Sequence, residues 1–484
     1  MKFIDQSATS RMNEITDGHM TCVYRDIPEH FEQIRAFFQQ KDIQTDDTIV
    51  LECSNTLPGA LTLLYLLEEG YSFLLIPKPA ADKASVNDFP GYFPPLCGYK
   101  IRTIPVRNEG PADFLPDHFL EVIANEKQSD TRRNVHADPR LYLRTSGSTG
   151  TPKMVVHSHT RLKKNAENCV LRLGLDNDHR VAIPVPIAHM FGLGAAFLPA
   201  VSVGASVDLQ AGANLLRYLQ REREFDPDTV FMTPVFCETL LKGRRAARPY
   251  RLTVTAGDRF RGQDTFSGYE SLFGCLVNLY GSTEMGAMTA GSPDDPGDMR
   301  AQTAGSPMPD VQMRMEKLNA ENHDEMSDVG ILWCSHPYGF EGYADEDGNP
   351  VAQSPEASDD WFCTKDLGRI REDGSVEVLG RNDHSVNRDG LLVYFADVED
   401  AIRTIDGIET VAVMSQGESR RGARLAAFCV PARAADMNEA QMRSSCFDLM
   451  PNRAVPDDII FLRSLPLLPS GKVDRQKLTQ MVGR

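Results

Sequence analysis

The residues best suited to handling phosphate lie in one stretch: Leu141-Tyr-Leu-Arg-Thr145-Ser146-Gly147-Ser148-Thr149-Gly150-Thr-Pro-Lys153-Met-Val-Val-His-Ser-His159. The apolar alternation of Leu141 and Leu143 reads as a strand. Hydroxyls and glycines follow, then one lysine, then a second apolar run from Met154 to Val156. Gly147 and Gly150 let the backbone turn tightly and approach a ligand. Backbone N–H groups in such a turn, joined by the hydroxyls of Thr145, Ser146, Ser148 and Thr149, suit phosphate oxygens. Lys153 adds a mobile point charge. The spacing is not that of the P-loop G-x-x-x-x-G-K-[ST]. Counting from Gly147, Pro152 occupies the second glycine position, and Met154 follows the lysine. An unrelated P-loop phosphotransferase is therefore disfavoured, while an ordinary flexible Gly/Ser turn stays open on this stretch alone.

Three more groups carry chemistry. Leu276-Val-Asn278-Leu-Tyr280-Gly281-Ser-Thr283-Glu284-Met285-Gly286 reads as a strand delivering an aromatic, a hydroxyl and a carboxylate to a turn. Those types suit a purine face, a phosphate oxygen and a magnesium ion. Asp366 precedes, and Gly380-Arg381 follows, a hairpin signalled by Asp373-Gly374; a surface ion pair is the competing reading of Asp366 and Arg381. Pro469-Ser-Gly471-Lys472 sets a lysine on a loop before the closing helix, where a lysine is ordinarily solvated. His189, at the end of an expected apolar strand and beside glycines, is a fifth candidate, with packing or capping as its alternative.

The elements that must position these groups alternate between strand and helix. Helical spacing covers 31–40 and 58–69, and strands are expected at 48–52 and 72–77, with Gly70 ending the second helix. That order predicts a parallel sheet covered by helices, whose ligands gather at the carboxyl ends of the strands. A helix over 162–173 and buried strands at 229–234 and 252–257 continue the pattern. The basic run 242–251 could grip an anion or serve as a solvated connector. From about 305 to 380 the texture turns to short strands. The last hundred residues have the size of a small α+β domain, giving expected domains of 1–380 and 381–484.

The totals narrow the class. The chain has 484 residues, 41% hydrophobic and 25% charged, which suits two to four globular domains. A net charge of −17 argues against general nucleic-acid binding. No apolar run reaches the roughly 18 residues of a membrane helix. The first residues lack a signal peptide's apolar core, so a cytoplasmic protein is expected. Ten cysteines are scattered singly with no C-x-x-C, which signals neither a zinc site nor a disulfide framework.

Taken in order, residues 145–153, Tyr280-Gly-Ser-Thr-Glu284, Asp366 with Gly380-Arg381, and Pro469-Ser-Gly-Lys472 resemble the AMP-forming adenylating superfamily. That superfamily holds acyl-CoA synthetases, adenylation domains and beetle luciferases. The resemblance spans about residues 45 to 480. It implies an α/β fold with an α+β lid: a large N-terminal domain of two packed α/β sheets plus a distorted β-barrel, and a small mobile C-terminal domain. It also implies two half-reactions. A carboxylic acid attacks Mg2+-bound ATP to give acyl-AMP and pyrophosphate; a phosphopantetheine thiol, of coenzyme A or of an acyl carrier protein, then takes the acyl group.

By that resemblance Thr145, Ser146, Gly147, Ser148, Thr149, Gly150 and Lys153 grip the β- and γ-phosphates. Tyr280 stacks on adenine and Asn278 meets its exocyclic amine. Thr283 contacts the α-phosphate and Glu284 the magnesium. Asp366 takes the ribose hydroxyls, Arg381 lies near the ribose and phosphate, and Lys472 is the catalytic lysine. Asp383 is the hinge, and His189 borders and gates the acyl pocket. Three departures stand out: Thr364-Lys365-Asp366 replaces Thr-Gly-Asp, Asn387 stands where many members have lysine, and 390–399 lacks the usual basic residue after its glycine. They bear on thiol transfer more than on adenylation.

Amino-acid-activating members carry an aspartate just after the aromatic that follows the histidine region. Here Phe191 is followed by Gly192, so an unaminated aryl or acyl acid is expected, held near His189, Met190, Phe236, Ala256, Gly257 and Met285. A nucleotide-binding regulator that keeps the fold without turnover is the alternative function, disfavoured by intact Glu284 and Lys472.

Overall fold

The computed structural model describes residues 2–4, 12–78, 93–104, 115–125, 138–145, 153–212, 214–258, 260, 263–317, 328–351, 361–382, 385–388, 391–419, 422–432, 438–467 and 473–482. Much of the phosphate stretch (146–152), the hinge Asp383 and Lys472 lie outside them. The chain divides into two compact units. The larger comprises Met1–Met313, Cys334–Phe362 and Ile370–Glu377, and the smaller Arg314–Trp333, Cys363–Arg369 and Val378–Arg484.

The larger unit is built on two sheets. In the eight-stranded sheet Thr48–Cys53 and Ser72–Pro77 run parallel, flanked by Tyr99–Thr103 and by the antiparallel pair Arg140–Thr145 and Lys153–Ser158. All six residues of Thr48–Cys53 are buried, as expected of a strand covered on both faces. Between the two parallel strands runs the helix Leu57–Glu69. Thr56 caps its start and Gly70 its end, at φ 78°, the left-handed turn that glycine adopts without a Cβ penalty.

The nine-stranded sheet holds Arg180–Ile183, Ser206–Leu209, Thr229–Met232, Tyr250–Thr255 and Gly274–Ser282 in parallel. Gly286–Ala290 folds back antiparallel on Gly274–Ser282, with a register shift between Tyr280 and Gly281. Two three-residue strands, Glu14–Thr16 and Thr21–Val23, complete the other edge. A continuous apolar core joins residues from both sheets, among them Leu51, Phe73, Val181, Val207 and Val277.

The smaller unit contains most of a four-stranded sheet in the order Gln312–Lys317, Gly330–Ser335, Phe362–Ile370 and Val376–Arg381, which accounts for the short-strand texture of 305–380. It also contains a five-stranded sheet built on the long antiparallel pair Ile408–Ser419 and Gly422–Pro431, with its own apolar core. There Arg388 is fully buried and meets both oxygens of Asp457 at 3.0 Å, tying the strand Ser385–Arg388 to the start of Asp458–Phe461. Eight of the ten cysteines are buried, and none of the ten is in a disulfide. No helix among the described residues is long and apolar enough to cross a membrane.

Candidate nucleotide-binding active site

Within the large unit, the candidate residues collect at one edge of the nine-stranded sheet. The carboxyl ends of its parallel strands lead into 184–190, 234–236, 256–257 and 280–285. Those segments hold His189, Met190, Phe236, Ala256, Gly257, Tyr280, Thr283, Glu284 and Met285. This is the edge where open α/β sheets bind ligands.

The turn from Ser282 to Gly286 is held from several sides. The Ser282 hydroxyl accepts from the Met285 N–H at 3.0 Å. His157 Nε2 lies 2.8 Å from the Thr283 carbonyl. A carbonyl only accepts, so Nε2 carries the proton, and Nδ1, buried, has no partner among the described residues. The Phe340 N–H donates to the Glu284 carbonyl at 2.7 Å, while Arg161 grips the carbonyls of Gly339 and Phe340. Asn165 donates to the Met285 carbonyl at 2.9 Å and accepts from the Ala287 N–H at 3.2 Å. Gly286, at φ 66°, brings the backbone so close that a Cβ there would lie 2.3 Å from Asn165 Nδ2. His336 accepts the Tyr338 N–H on Nδ1 and donates from Nε2 to the Ala287 carbonyl. Burial holds His157 and His336 neutral, each with its pKa lowered to about 4.

The side chain of Glu284 faces another way. Its Oε1 accepts the Tyr343 hydroxyl at 3.0 Å, and the ring of Tyr343 lies 5.5 Å from Lys153 Nζ. Gly342–Ala344 pairs antiparallel with Lys153–Ser158, opposing Tyr343 to Val155, so a long-range strand pairing sets this meeting. Burial, then the charge of Glu284, raises the Tyr343 phenol well above its ordinary value and keeps it a donor. Neither Tyr343 nor the clamping residues His157, Asn165 and His336 emerged from sequence reasoning. Their bonds to Glu284, Thr283, Met285 and Ala287 span 49 to 126 residues, beyond the reach of any local pattern.

Asn278 is engaged inside the protein. Its amide donates to the carbonyls of Arg300 and Thr303, and its oxygen accepts from the Thr255 hydroxyl at 2.9 Å. His189 does not end a strand. The strand stops at Ile183, because Pro184 and Pro186 have no N–H for the ladder, and exposed His189 sits in the turn before a π-helix, Phe191–Phe197. Asn55 pins the preceding loop, donating to the carbonyls of Ile183 and Val185 and accepting from the Ile187 N–H. Phe236 packs edge-on against Tyr218 at 5.3 Å. Of the basic run 242–251, Arg244 pairs with Glu222, and Arg248 with Asp226 at 2.6 Å, so much of its charge is spent internally.

In the small unit, Asp366 and Arg381 do meet: Arg381 Nε lies 3.7 Å from Asp366 Oδ1, and Nη1 donates to the Thr364 carbonyl at 3.2 Å. The Thr364 hydroxyl bonds the Leu332 carbonyl and accepts the Asp366 N–H, fixing the carboxylate's backbone. Lys365 adopts φ 61°. The other described non-glycine residues at positive φ are aspartates (Asp42, Asp226 and Asp310), whose short side chains tolerate that region. Lys365 thus occupies the left-handed region that favours glycine. Thr145, whose backbone pairs with Lys153, is the one member of the 145–150 loop among the described residues.

The family model of AMP-binding enzymes matches residues 98–344, and that of their C-terminal domain matches 397–472. The chain belongs to the AMP-forming adenylating superfamily. Among curated members of this superfamily, a Streptomyces salicylyl-CoA synthase / salicylate adenylyltransferase is 26% identical over 71% of this chain and 63% of its own length. A putative acyl-CoA ligase of Bacillus subtilis is 25% identical over 98% of this chain and 97% of its own. The chain thus spans less than two thirds of the length of the first of these relatives. Among solved structures, the o-succinylbenzoate CoA synthetase of Bacillus subtilis with its acyl-adenylate intermediate superposes with a TM-score of 0.79 at 17% identity, over 97% of this chain and 96% of that one. The adenylating fold, with mixed α/β sheets and a small C-terminal domain, is therefore shared.

Proposed function

We propose that this chain joins an unaminated carboxylic acid, aryl or acyl, to the AMP moiety of ATP with release of pyrophosphate. It then passes the acyl group to the phosphopantetheine thiol of coenzyme A or of a carrier protein. The observation that carries the reading is the clamped turn 282–286, which offers Thr283 and Glu284 at the carboxyl edge of the sheet, with Lys153 tethered nearby through Tyr343. The similarity to a salicylyl-CoA synthase and an acyl-CoA ligase supports the substrate class. So does Gly192, where a Cβ would lie 2.1 Å from the Pro186 carbonyl oxygen. The position that carries an aspartate in amino-acid-activating members has no room here for any side chain.

Little covalent work is needed at phosphorus, so the rate depends on placing positive charge where negative charge builds. In this reading the 145–150 loop and Lys153 hold the outer phosphates, Tyr280 takes the adenine face, and Thr283 meets the α-phosphate. Asp366 takes the ribose hydroxyls with Arg381 beside it. Asn278, its amide spent on Arg300 and Thr303, supports the strand under the adenine. Among the described residues no group of three His, Cys, Asp or Glu could hold a metal ion. A single carboxylate, Glu284, instead fits magnesium held mainly by phosphate oxygens and water. When bound, the ion neutralises phosphate charge. Residues 381–484 act as a lid turning at Asp383, which brings Lys472 to the reacting oxygens and later withdraws it. His189, exposed on the loop that Asn55 pins, gates the acyl site.

Lys472→Ala tests the assignment. It should cut acyl-AMP formation by roughly a thousandfold, the scale of one lost electrostatic contact to the transition state. Thiol transfer from supplied acyl-AMP should be largely intact. Equal loss in both half-reactions would refute the role of the lysine.

A further inference from the structure

The ammonium of Lys153 and the carboxylate of Glu284 are opposite charges on neighbouring elements, yet no ion pair joins them. Each meets Tyr343 instead: the carboxylate accepts its hydroxyl at 3.0 Å, and the ammonium lies 5.5 Å from its ring centroid. We propose that Tyr343 is a positioning residue that holds Lys153 and Glu284 in one array while keeping them from neutralising each other. The inference rests on the nucleotide reading of this site.

The chemistry asks for such a spacer. A lysine and a carboxylate in direct contact would have to break their own pair before one could meet phosphate and the other a metal ion. A phenol bridges them differently through its two parts. Its O–H donates to a carboxylate and orients it, leaving the second oxygen open. Its π-face attracts an ammonium within about 6 Å without satisfying any of the three N–H donors. Tyr343 is itself fixed. It opposes Val155 in the strand pairing, and its ring meets Phe340 edge-on at 5.0 Å. Phe340 in turn bonds the Glu284 carbonyl through its own N–H, so one short segment, 340–343, sets both the backbone and the side chain of Glu284.

The two contacts use separate parts of one side chain, so they can be told apart. Affinity for MgATP is measured by calorimetry on the full chain, with thermal unfolding alongside. Tyr343→Phe keeps the ring and loses the donor. It should weaken MgATP by about tenfold, the scale of one charge-assisted hydrogen bond, with its melting temperature within a few degrees of the wild type. In a Glu284→Ala background the same change should cost less than about twofold, because no carboxylate remains to be placed. In a Lys153→Ala background it should still cost about tenfold. Tyr343→Ala, which also removes the ring, should exceed Tyr343→Phe in the wild type but not in Lys153→Ala. Equal effects of Tyr343→Phe in the wild-type and Glu284→Ala backgrounds, or a loss that follows the melting temperature, would overturn the role of Tyr343. Failure of the wild type to bind MgATP would instead overturn the nucleotide reading itself.

Discussion

Three histidines of the large unit are held neutral by burial, and their protonation belongs to the unfolded chain. His157 and His336 have pKa values lowered to about 4 and His159 to about 3, from an ordinary 6.5. As pH falls below 6.5 the unfolded chain takes up protons that the folded chain refuses. Stability is therefore complete above about 6.5 and is lost as pH drops toward 4. Each histidine costs about 1.4 kcal/mol per pH unit once the unfolded form is fully charged. Urea unfolding at pH 7, 6 and 5 should show the midpoint falling before the carboxylates begin to titrate. A midpoint unchanged between pH 7 and 5 would show that these rings are not buried and neutral. Residue types alone pointed to Tyr280, Thr283, Glu284, Asp366 and Arg381, because each is a chemical group in a short, ordered motif. Tyr343, His157, Asn165 and Asn55 carry no such signal, since each acts by bonding a backbone or carboxylate group distant in sequence.

At the scale of elements, the strands Thr48–Cys53 and Ser72–Pro77 and the helix Leu57–Glu69 were legible almost to the residue. Apolar runs bounded by capping residues leave little choice of secondary structure. The strands Glu14–Thr16 and Thr21–Val23 were not, because three residues are too few for a periodic pattern and pairing with Ser206–Leu209 and with each other makes them strands. The π-helix Phe191–Phe197 was likewise illegible, since Gly, Ala and Phe in that order fit several helical windings. In the small unit, the link between Ser385–Arg388 and Asp458–Phe461 depends on one buried guanidinium. Asp457→Ala would strand Arg388 without its counter-charge and expose the Leu425 N–H, which Asp457 also accepts at 2.8 Å. The expected cost is about 3–5 kcal/mol. Hydrogen exchange should quicken across 385–388 and 422–431 while 48–77 is unaffected; unchanged protection in the small unit would show that the pair contributes nothing.

At the scale of the molecule, the proposed function asks an acidic chain with a net charge of −17 to handle a polyanion by local means, through the Gly/Ser/Thr stretch, a few placed cations and a metal. Its candidate groups are divided between two units, with Tyr280, Thr283, Glu284 and Lys153 in one and Asp366 and Arg381 in the other. The order of motifs along the chain, rather than composition, led to the expected domains 1–380 and 381–484 and to the expected lid. The most direct test of the whole account is the nucleotide product formed when the wild-type chain is incubated with MgATP and a panel of aryl and acyl acids. Cleavage between the first and second phosphorus atoms predicts pyrophosphate in an amount equal to acyl-AMP and AMP together, and only when an accepted acid is present. Release of ADP and inorganic phosphate, or nucleotide turnover indifferent to every acid supplied, would contradict it.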